Sequence, residues 1–153
     1  MSLAKYLWIC AREDDPGLDI HDIAAFFQHM LRRVDWTRDL HFQTCTTMDT
    51  LDYSGSGLNS GSKLVIAAAG PARRELATEL GSDTWLPDGF GDPRCCLPGV
   101  LSVTAPAHVG QPHCSDGIAE RFCREQENAA GNWLQGWPLI ILCDDGPFCA
   151  ESL

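Results

Sequence analysis

Cysteine is the residue type with the greatest capacity for chemistry in this sequence, because thiolates act as nucleophiles, redox groups and metal ligands. The sequence has no C-x-x-C pair and no H-x-x-x-H pair, so the close-spaced ligand pairs typical of a structural zinc site are missing. A free cysteine inside an apolar stretch behaves as a small hydrophobic residue. We therefore predict structural thiols and no metal site for the eight cysteines, which are Cys10, Cys45, Cys95, Cys96, Cys114, Cys123, Cys143 and Cys149.

Two other motifs suggest chemistry that their context does not favour. The stretch Ser54–Lys63 is similar to a phosphate-binding loop, but its lysine is displaced by one position and opens a strand, which favours a flexible or interdomain loop. The pairs Asp14-Asp15 and Asp144-Asp145 each follow a strand, where carboxylates are able to hold Mg²⁺. Solvated turn carboxylates are the favoured interpretation of both pairs. A Ser-His-Asp triad is not supported, because no G-x-S-x-G elbow is present.

The balance of charge excludes one class of partner. Eleven basic and twenty-one acidic residues give a formal net charge of −10. A surface of this sign repels phosphate backbones and anionic lipid, so we predict no nucleic-acid and no membrane partner. No apolar stretch approaches the roughly 18 residues of a membrane span, and the N-terminus lacks a signal-peptide pattern. These features predict a cytoplasmic protein.

Strands and helices alternate along the chain. The clearest helix covers residues 20–34, where apolar residues recur at i, i+3, i+4 and i+7, with Asp19 as its predicted N-cap. His21 and His29 fall on its polar side and are predicted to be solvated. Further helices are predicted over 70–80, from Asp116 to Gly131, and from Pro147 onward. Short apolar runs predict strands at residues 5–11, 39–44, 63–69, 100–104 and 138–143.

This alternation predicts an α/β fold, because strands that are apolar throughout belong to a sheet covered on both faces. We expect a single domain over residues 1–153. Its predicted architecture is a three-layer, Rossmann-like domain with a largely parallel or mixed sheet of about five strands.

Two apolar loops are difficult to bury in an isolated domain. Residues 81–99 are predicted to form a loop of 19 residues, and loops of that length are usually functional or docked on another structure. A second apolar loop covers residues 133–137. Their composition predicts a surface covered by a neighbour. The candidate contacts with another domain or another subunit are Trp85, Leu86, Phe90, Trp133 and Trp137.

A series of motifs in fixed order carries a family resemblance. A strand and acidic turn at Trp8–Asp15 lead to the start of a helix at Leu18–Asp22, followed by the motifs Arg33–Asp39, Leu51–Gly55 and Gly61–Ile66. In order and spacing, this stretch resembles the start of the C-terminal domain of UbiD-type decarboxylases. Residues 139–145 and 148–153 look like the lead-in to the helix and strand that normally follow. The chain departs from many members at Ile66-Ala-Ala-Ala69, where they read Ile-Asp-Ala, and this leaves the substrate open.

The resemblance implies a non-oxidative (de)carboxylase acting on an aromatic or α,β-unsaturated acid. In that family, prenylated FMN sits in a central domain with a catalytic Glu-Arg-Glu set, a divalent metal and a monovalent metal. The C-terminal domain mediates contacts between subunits and closes over the active-site mouth. We accordingly expect an excised C-terminal-region fragment, inactive alone, with no catalytic, cofactor-binding or metal residues. Its expected partners are the remaining domains of the same protein, in a homo-oligomer.

The alternative is a free-standing α/β regulatory or small-ligand-binding module of receiver or flavodoxin type. Such a module should be monodisperse and should bind Mg²⁺ or a nucleotide directly. The fragment should self-associate and bind neither.

Overall fold

The computed structural model describes residues 4–47, 60–107, 117–128 and 133–152. The chain divides into two compact units, Met1–Arg73 and Arg74–Leu153. Within the described ranges, no helix is long and apolar enough to span a membrane. The predictions of a single domain and of an excised fragment stay predictions.

The first unit is a three-stranded mixed sheet with one helix. Strand β1 (Tyr6–Cys10) runs parallel to β3 (Gly61–Ala68), and β2 (Leu40–Thr46) pairs antiparallel with β3, which gives the order β1-β3-β2. Helix α1 (Ile23–Arg33) connects β1 to β2. Buried side chains from α1, the residue that follows it and β3 form the core of this unit, namely Met30, Leu31, Val34, Ile66 and Ala68.

Helix α1 begins later than the sequence predicts. Asp22 is its N-cap, because the Asp22 carboxylate accepts a hydrogen bond of 2.9 Å from the backbone N–H of Ala25. Asp19, the predicted cap, instead accepts from the backbone N–H of His21 in the preceding turn. The predicted apolar face is confirmed toward the end of the helix, where Met30 and Leu31 are fully buried, but it is wrong at its start, where Ile20 and Ile23 are 61% exposed.

The second unit is also a three-stranded mixed sheet. Strand β4 (Gly91–Leu97) pairs antiparallel with β5 (Val100–Thr104), and β5 pairs parallel with β6 (Leu139–Cys143). Helix α2 (Ile118–Asn128) lies between β5 and β6 in the chain, and α3 (Gly146–Ser152) follows β6. The core of this unit consists of Phe90, Leu101, Val103, Phe122 and Trp137.

The predicted five-stranded, largely parallel Rossmann-like sheet is wrong. The strands lie in two separate mixed sheets, each with one parallel and one antiparallel pair. Hydrophobic periodicity identifies which residues form strands, but it contains little information on which strand pairs with which. The pairing is set by long-range packing that a local pattern does not report.

A sixth strand lies inside the predicted 19-residue loop. Strand β4 contains Asp92, Pro93 and Arg94, so it lacks an apolar pattern, and Pro93 cannot donate a ladder hydrogen bond. Pro93 is tolerated because β4 is at the edge of the described sheet. The pairing of β4 with β5 is also irregular on both sides of Arg94 and Cys95. Gly99 closes the turn to β5 at φ +80°, where a Cβ would approach the Leu76 side chain to 2.7 Å.

The helix predicted over residues 70–80 does not form. This segment uses its backbone groups to contact remote parts of the chain instead of its own preceding turn. The N–H of Arg73 donates to the carbonyl of Arg32, and the N–H of Ala77 donates to the carbonyl of Gly136. The carbonyl of Ala77 accepts from Gly99. These partners satisfy the backbone in an extended path, which removes the need for helical hydrogen bonds.

Candidate functional site

The predicted contact residues are all in the second unit, and most of them pack inside it. Phe90 and Trp137 are buried in its core, while Leu86 and Trp133 pack against that core. Trp85 is the exception, with 43% of its surface exposed. A docking role for these five residues stays a prediction, but Phe90 and Trp137 also have a structural role within the unit.

One residue of α2 holds both apolar loops in place. The side-chain amide of Gln126 donates from Nε2 to the backbone carbonyl of Trp85 over 3.1 Å. Its Oε1 accepts from the indole Nε1 of Trp133, also over 3.1 Å. Because one amide group uses its donor and its acceptor at once, the two tryptophan segments are fixed relative to α2.

A second contact fixes the loop that carries Phe90. The ring of Phe90 meets the ring of Phe122 edge-to-face at a centroid distance of 5.1 Å. The guanidinium of Arg121 lies over the same Phe90 ring at 4.9 Å and donates to the carbonyl of Asp88 over 2.8 Å. The residues preceding β4 are therefore anchored to α2 from two directions.

An open cavity of about 570 Å³ lies beside α2. Its walls come from three elements: one face of α2, the short 3-10 turn Trp133–Gly136, and strand β6. That volume is within the usual range of small-molecule and side-chain pockets. The cavity is lined by Ala119, Phe122, Cys123, Gln126, Glu127, Trp133, Leu134, Ile140 and Leu142.

The lining determines what this cavity can accept. Most of its wall is apolar or aromatic, and among the residues that the structure describes, the charged side chain in the lining is the carboxylate of Glu127. A cavity of this composition suits an apolar or aromatic group and repels a phosphate. We take this cavity, rimmed by Trp133, as the candidate functional site.

The first unit contains a cluster of polar contacts around Asp14 and Arg33. The Asp14 carboxylate accepts from the backbone N–H of Gly70 over 2.7 Å. The Arg33 guanidinium donates to the carbonyls of Gly70 and His29, each over 3.0 Å, and lies 3.9 Å from Asp14. These contacts tie the end of α1 to the segment that follows β3. Asp14 is thus a structural acceptor and not a solvated turn acid.

Both histidines of the predicted helix were expected to be solvated. This prediction is wrong for His29, which is buried, and is confirmed for His21, which is exposed. His29 is 6% exposed, and its Nε2 has no hydrogen-bond partner among the residues that the structure describes. Burial, together with the positive charge of Arg33, lowers the pKa of His29 below its ordinary value. The helical pattern missed this because His29 is on the polar side of the helix, and its burial comes from tertiary packing that a local pattern does not report.

The remaining predicted motifs have simpler outcomes. Asp145 accepts from the backbone N–H of Phe148 over 3.0 Å at the start of α3, which is a helix-capping role. Most of the Ser54–Lys63 loop lies outside the described residues. Within the described ranges, no group of three or more His, Cys, Asp or Glu side chains is placed to hold a metal ion.

Part of the cavity wall was predictable from the sequence. The helix predicted from Asp116 to Gly131 contains Ala119, Phe122 and Cys123, and the structure puts all three along the cavity. Gln126, which continues the same helical face one turn later, was not predicted as a site residue. The i, i+3, i+7 spacing from Ala119 is the signal that would have found it.

Comparison with known proteins supports the family resemblance. Residues 1–68 match the family model described as the 3-octaprenyl-4-hydroxybenzoate carboxy-lyase C-terminal domain. No solved structure matches the chain significantly.

Chlamydial proteins are similar over nearly the whole chain. An uncharacterised protein of Chlamydia trachomatis is 30% identical over 152 residues, which covers 95% of this chain and 22% of that protein. A protein of Chlamydia pneumoniae, named as one of the subunits of a 4-hydroxybenzoate decarboxylase, is 29% identical over 145 residues, with the same coverage of both chains. The chain thus spans about a fifth of the length of these relatives. The match of residues 1–68 confirms that this chain resembles the C-terminal domain of the UbiD family of carboxy-lyases.

Proposed function

We propose that this chain is an assembly and closing domain of a UbiD-like carboxy-lyase and carries no catalytic residues of its own. The observation that carries this proposal is the family match over residues 1–68. A relative named as part of a decarboxylase aligns with 95% of this chain. The alignment covers 22% of that relative, so the other 78% of it lies outside the alignment. The reacting groups would belong to that remaining part.

The proposed substrate is an aromatic or α,β-unsaturated carboxylic acid that exchanges CO₂ without net oxidation. A 4-hydroxybenzoate-type acid is the first candidate, because the name of the relative from Chlamydia pneumoniae contains that acid. This chain has Ala67 after Ile66, where many members of the family have Asp. Other acids should therefore be tested as well.

Prenylated FMN is the cofactor that this proposal assigns to the whole enzyme. Its phosphate needs cationic side chains or a row of N–H donors, whereas the charged residue of the candidate cavity is Glu127. The cavity therefore does not fit the cofactor, and we assign none of its residues to flavin binding.

We propose that the cavity instead takes an apolar side chain from the rest of the enzyme or from a second copy of it. An open apolar cavity rimmed by a tryptophan is typical of sites where an anchor residue from a partner is buried. Closure by such a domain excludes water from an active site and orients the substrate, so a non-catalytic domain can be required for turnover.

A cytoplasmic location belongs to the same proposal. The seven cysteines that the structure describes are all free thiols, and free thiols in such number suit a reducing compartment.

The rival proposal, a receiver-like or flavodoxin-like module, has less support. Those folds place their ligand at the carboxyl edge of one doubly wound parallel sheet. Each unit here has a three-stranded mixed sheet instead. Direct binding of Mg²⁺ or a nucleotide to the chain, measured by calorimetry, would favour the rival.

Substitution at the cavity rim in the full-length enzyme tests the docking proposal. Cys123 is exposed and lines the cavity, so Cys123→Glu adds a charge there without disturbing the core. We expect this variant to lower the rate of CO₂ release at least tenfold or to shift the oligomer toward smaller species.

The matched control is Phe148→Glu, which places the same charge on an exposed apolar residue of the same unit outside the cavity lining. It should leave both the rate and the oligomer unchanged. If Cys123→Glu changes neither quantity, or if both variants have the same effect, the cavity is not a specific contact.

A further inference from the structure

The two units of the chain differ strongly in charge. Residues 74–153 contain twelve acidic and four basic residues, which gives a formal net charge of −8. Residues 1–73 contain nine acidic and seven basic residues, which gives −2. The unit with the cavity therefore carries most of the negative charge of the chain, and a field of this sign attracts cationic partners.

One of these carboxylates lies in the cavity lining. Glu127 is in the last turn of α2, and its side chain is exposed. The arginine one turn before Glu125 on α2, Arg121, lies 3.6 Å from the Glu125 carboxylate and donates to the carbonyl of Asp88. Among the residues that the structure describes, Glu127 itself is in no salt bridge. Its carboxylate can therefore pair with a cation that another part of the enzyme supplies.

The position of Glu127 on its helix also favours a cation. The C-terminal end of a helix is the negative end of the helix dipole, and basic side chains are favourable there. The last turn of α2 contains Glu125 and Glu127 but no basic residue. A cation bound beside Glu127 would compensate both the carboxylate and the helix end.

An apolar wall adjoins this carboxylate. Phe122, Leu134 and Ile140 contribute to the lining of the same cavity. The side-chain amide of Gln126 already bonds to both tryptophan segments, so the polar contacts of an occupant fall mainly to Glu127. An occupant that matches this lining has an apolar part and a positive charge, and the side chains of arginine and lysine also have apolar stems that pack on such a wall.

From this combination we propose that the occupant of the cavity is a basic segment from the remaining part of the enzyme. An apolar side chain of that segment fills the cavity, and an adjacent arginine or lysine pairs with Glu127. The inference rests on the proposed docking role of the cavity and names the chemistry of its partner. The apolar side chain lies against Phe122 and Cys123, and the cation lies one turn later along α2. A carboxylate is therefore favourable at position 127 and unfavourable at position 123.

Charge also selects the remaining part of the enzyme over a second copy of this chain. A second copy has a formal net charge of −10, so it would bring an excess of carboxylates to an acidic surface. Three of its arginines, Arg33, Arg38 and Arg73, already pair with carboxylates in the first unit. The alignment covers 22% of the relative from Chlamydia pneumoniae, and the part outside it is where the proposal places the basic segment.

Alkylation of Cys123 in the full-length enzyme tests this inference. Cys123 is an exposed thiol in the cavity lining, so its rate of reaction with iodoacetamide, mapped by mass spectrometry, reports whether the cavity is filled. We define the protection of Cys123 as its rate in this chain alone divided by its rate in the full-length enzyme. We expect a protection of at least about fivefold, because a docked side chain excludes the reagent. Cys45, an exposed thiol of the first unit, is the internal reference.

Reversal of one charge should remove this protection. Glu127→Lys should repel the basic segment and lower the protection of Cys123 to about one, when both rates are measured on the variant. Raising the salt concentration from about 0.05 M to about 0.5 M should weaken protection in the wild type but not in Glu127→Gln, since salt screens the attraction. The matched control is Glu120→Lys, which reverses an exposed carboxylate of the same helix outside the cavity lining and should leave Cys123 protected.

The possible results separate this inference from the docking proposal on which it rests. Protection that is unchanged in Glu127→Lys and at high salt would overturn the cationic partner and leave the apolar docking role standing. Equal losses of protection in Glu127→Lys and Glu120→Lys would also overturn it, because they would indicate general repulsion instead of pairing at Glu127. A wild-type enzyme without protection of Cys123 would overturn both. Glu127→Gln, which removes the charge without reversing it, decides the matter if Glu127→Lys does not fold.

Discussion

The two units of this chain have the same number of strands but are stabilised by different interactions. Around the C-terminal end of α1, the first unit has three ion pairs in addition to its apolar core: Asp14 with Arg33, Arg38 with Asp39, and Arg73 with Asp35. The second unit relies on aromatic packing between α2 and its sheet, centred on Phe90, Phe122 and Trp137. We therefore expect the stability of the family-matching unit to vary more with pH than the stability of the unit with the cavity, whose core is aromatic.

Removal of the central aromatic ring should have the largest effect. Phe122 is 4% exposed, stacks edge-to-face on Phe90 and lines the cavity. Phe122→Ala should lower the free energy of unfolding by about 3–5 kcal/mol, because it removes a buried ring and leaves a void. Urea denaturation followed by tryptophan fluorescence measures this change.

Phe148→Ala is the matched control, since 67% of the Phe148 surface is exposed. A surface substitution of this kind should change stability by less than about 0.5 kcal/mol. Equal effects of the two substitutions would contradict the assignment of the aromatic core.

Removal of a buried carboxylate in the first unit should have an intermediate effect. Asp39 is 4% exposed and accepts from the backbone N–H of Asp35 over 2.9 Å and from the Arg38 guanidinium over 2.6 Å. Asp39→Ala leaves the Asp35 N–H without its acceptor, so we expect a loss of about 1–3 kcal/mol. Glu13→Ala, at an exposed position, is the control and should be neutral.

The pH dependence of Asp39 has a definite sign. The hydrogen bond from Arg38 is the main cause that holds the pKa of Asp39 below its ordinary value of 3.8. Its contribution to stability is therefore complete above pH 3.8 and is lost as the pH falls through the lower, folded-state pKa. The wild-type chain should lose this contribution on acidification, whereas Asp39→Ala has none to lose.

The smallest effect should come from His29. Its pKa is lowered by burial and by Arg33, so below pH 6.5 the unfolded chain binds a proton that the folded chain does not. Asp14, Asp15 and Arg32 also act on this imidazole, the two carboxylates in the opposite direction.

Stability of the wild-type chain should therefore fall as the pH drops from 7.5 toward 5.5. His29→Leu should remove this slope and raise the free energy of unfolding by about 1 kcal/mol, because it removes a buried polar atom without a partner among the described residues. His21→Leu, at an exposed position, should retain the slope. A wild-type stability that does not vary over this pH range would contradict the buried, neutral state of His29.

Local patterns predicted most of the elements of this chain. The helix at Ile23–Arg33 and the apolar strands at Val100–Thr104 and Leu139–Cys143 have periodicity or composition that only one element type satisfies. Strand β4 was missed because its edge position permits a proline and charged residues. The segment 70–80 was mispredicted because remote backbone partners, which no local pattern reveals, satisfy its N–H and carbonyl groups.

The candidate site was only partly predictable for a related reason. The sequence indicated that Trp85, Phe90 and Trp133 are unusual in loops, but it did not indicate that Gln126 connects Trp85 to Trp133. That connection depends on where α2 lies relative to the two loops, which is a property of the tertiary structure.

The most direct test of the central claim is an assay of CO₂ release from 4-hydroxybenzoate-type and α,β-unsaturated acids by the full-length protein loaded with prenylated FMN. We expect turnover by the full-length protein, loss of turnover when residues 1–153 are deleted from it, and no turnover by residues 1–153 alone. Turnover by residues 1–153 alone, or an undiminished rate after their deletion, would contradict the proposed role as a closing and assembly domain.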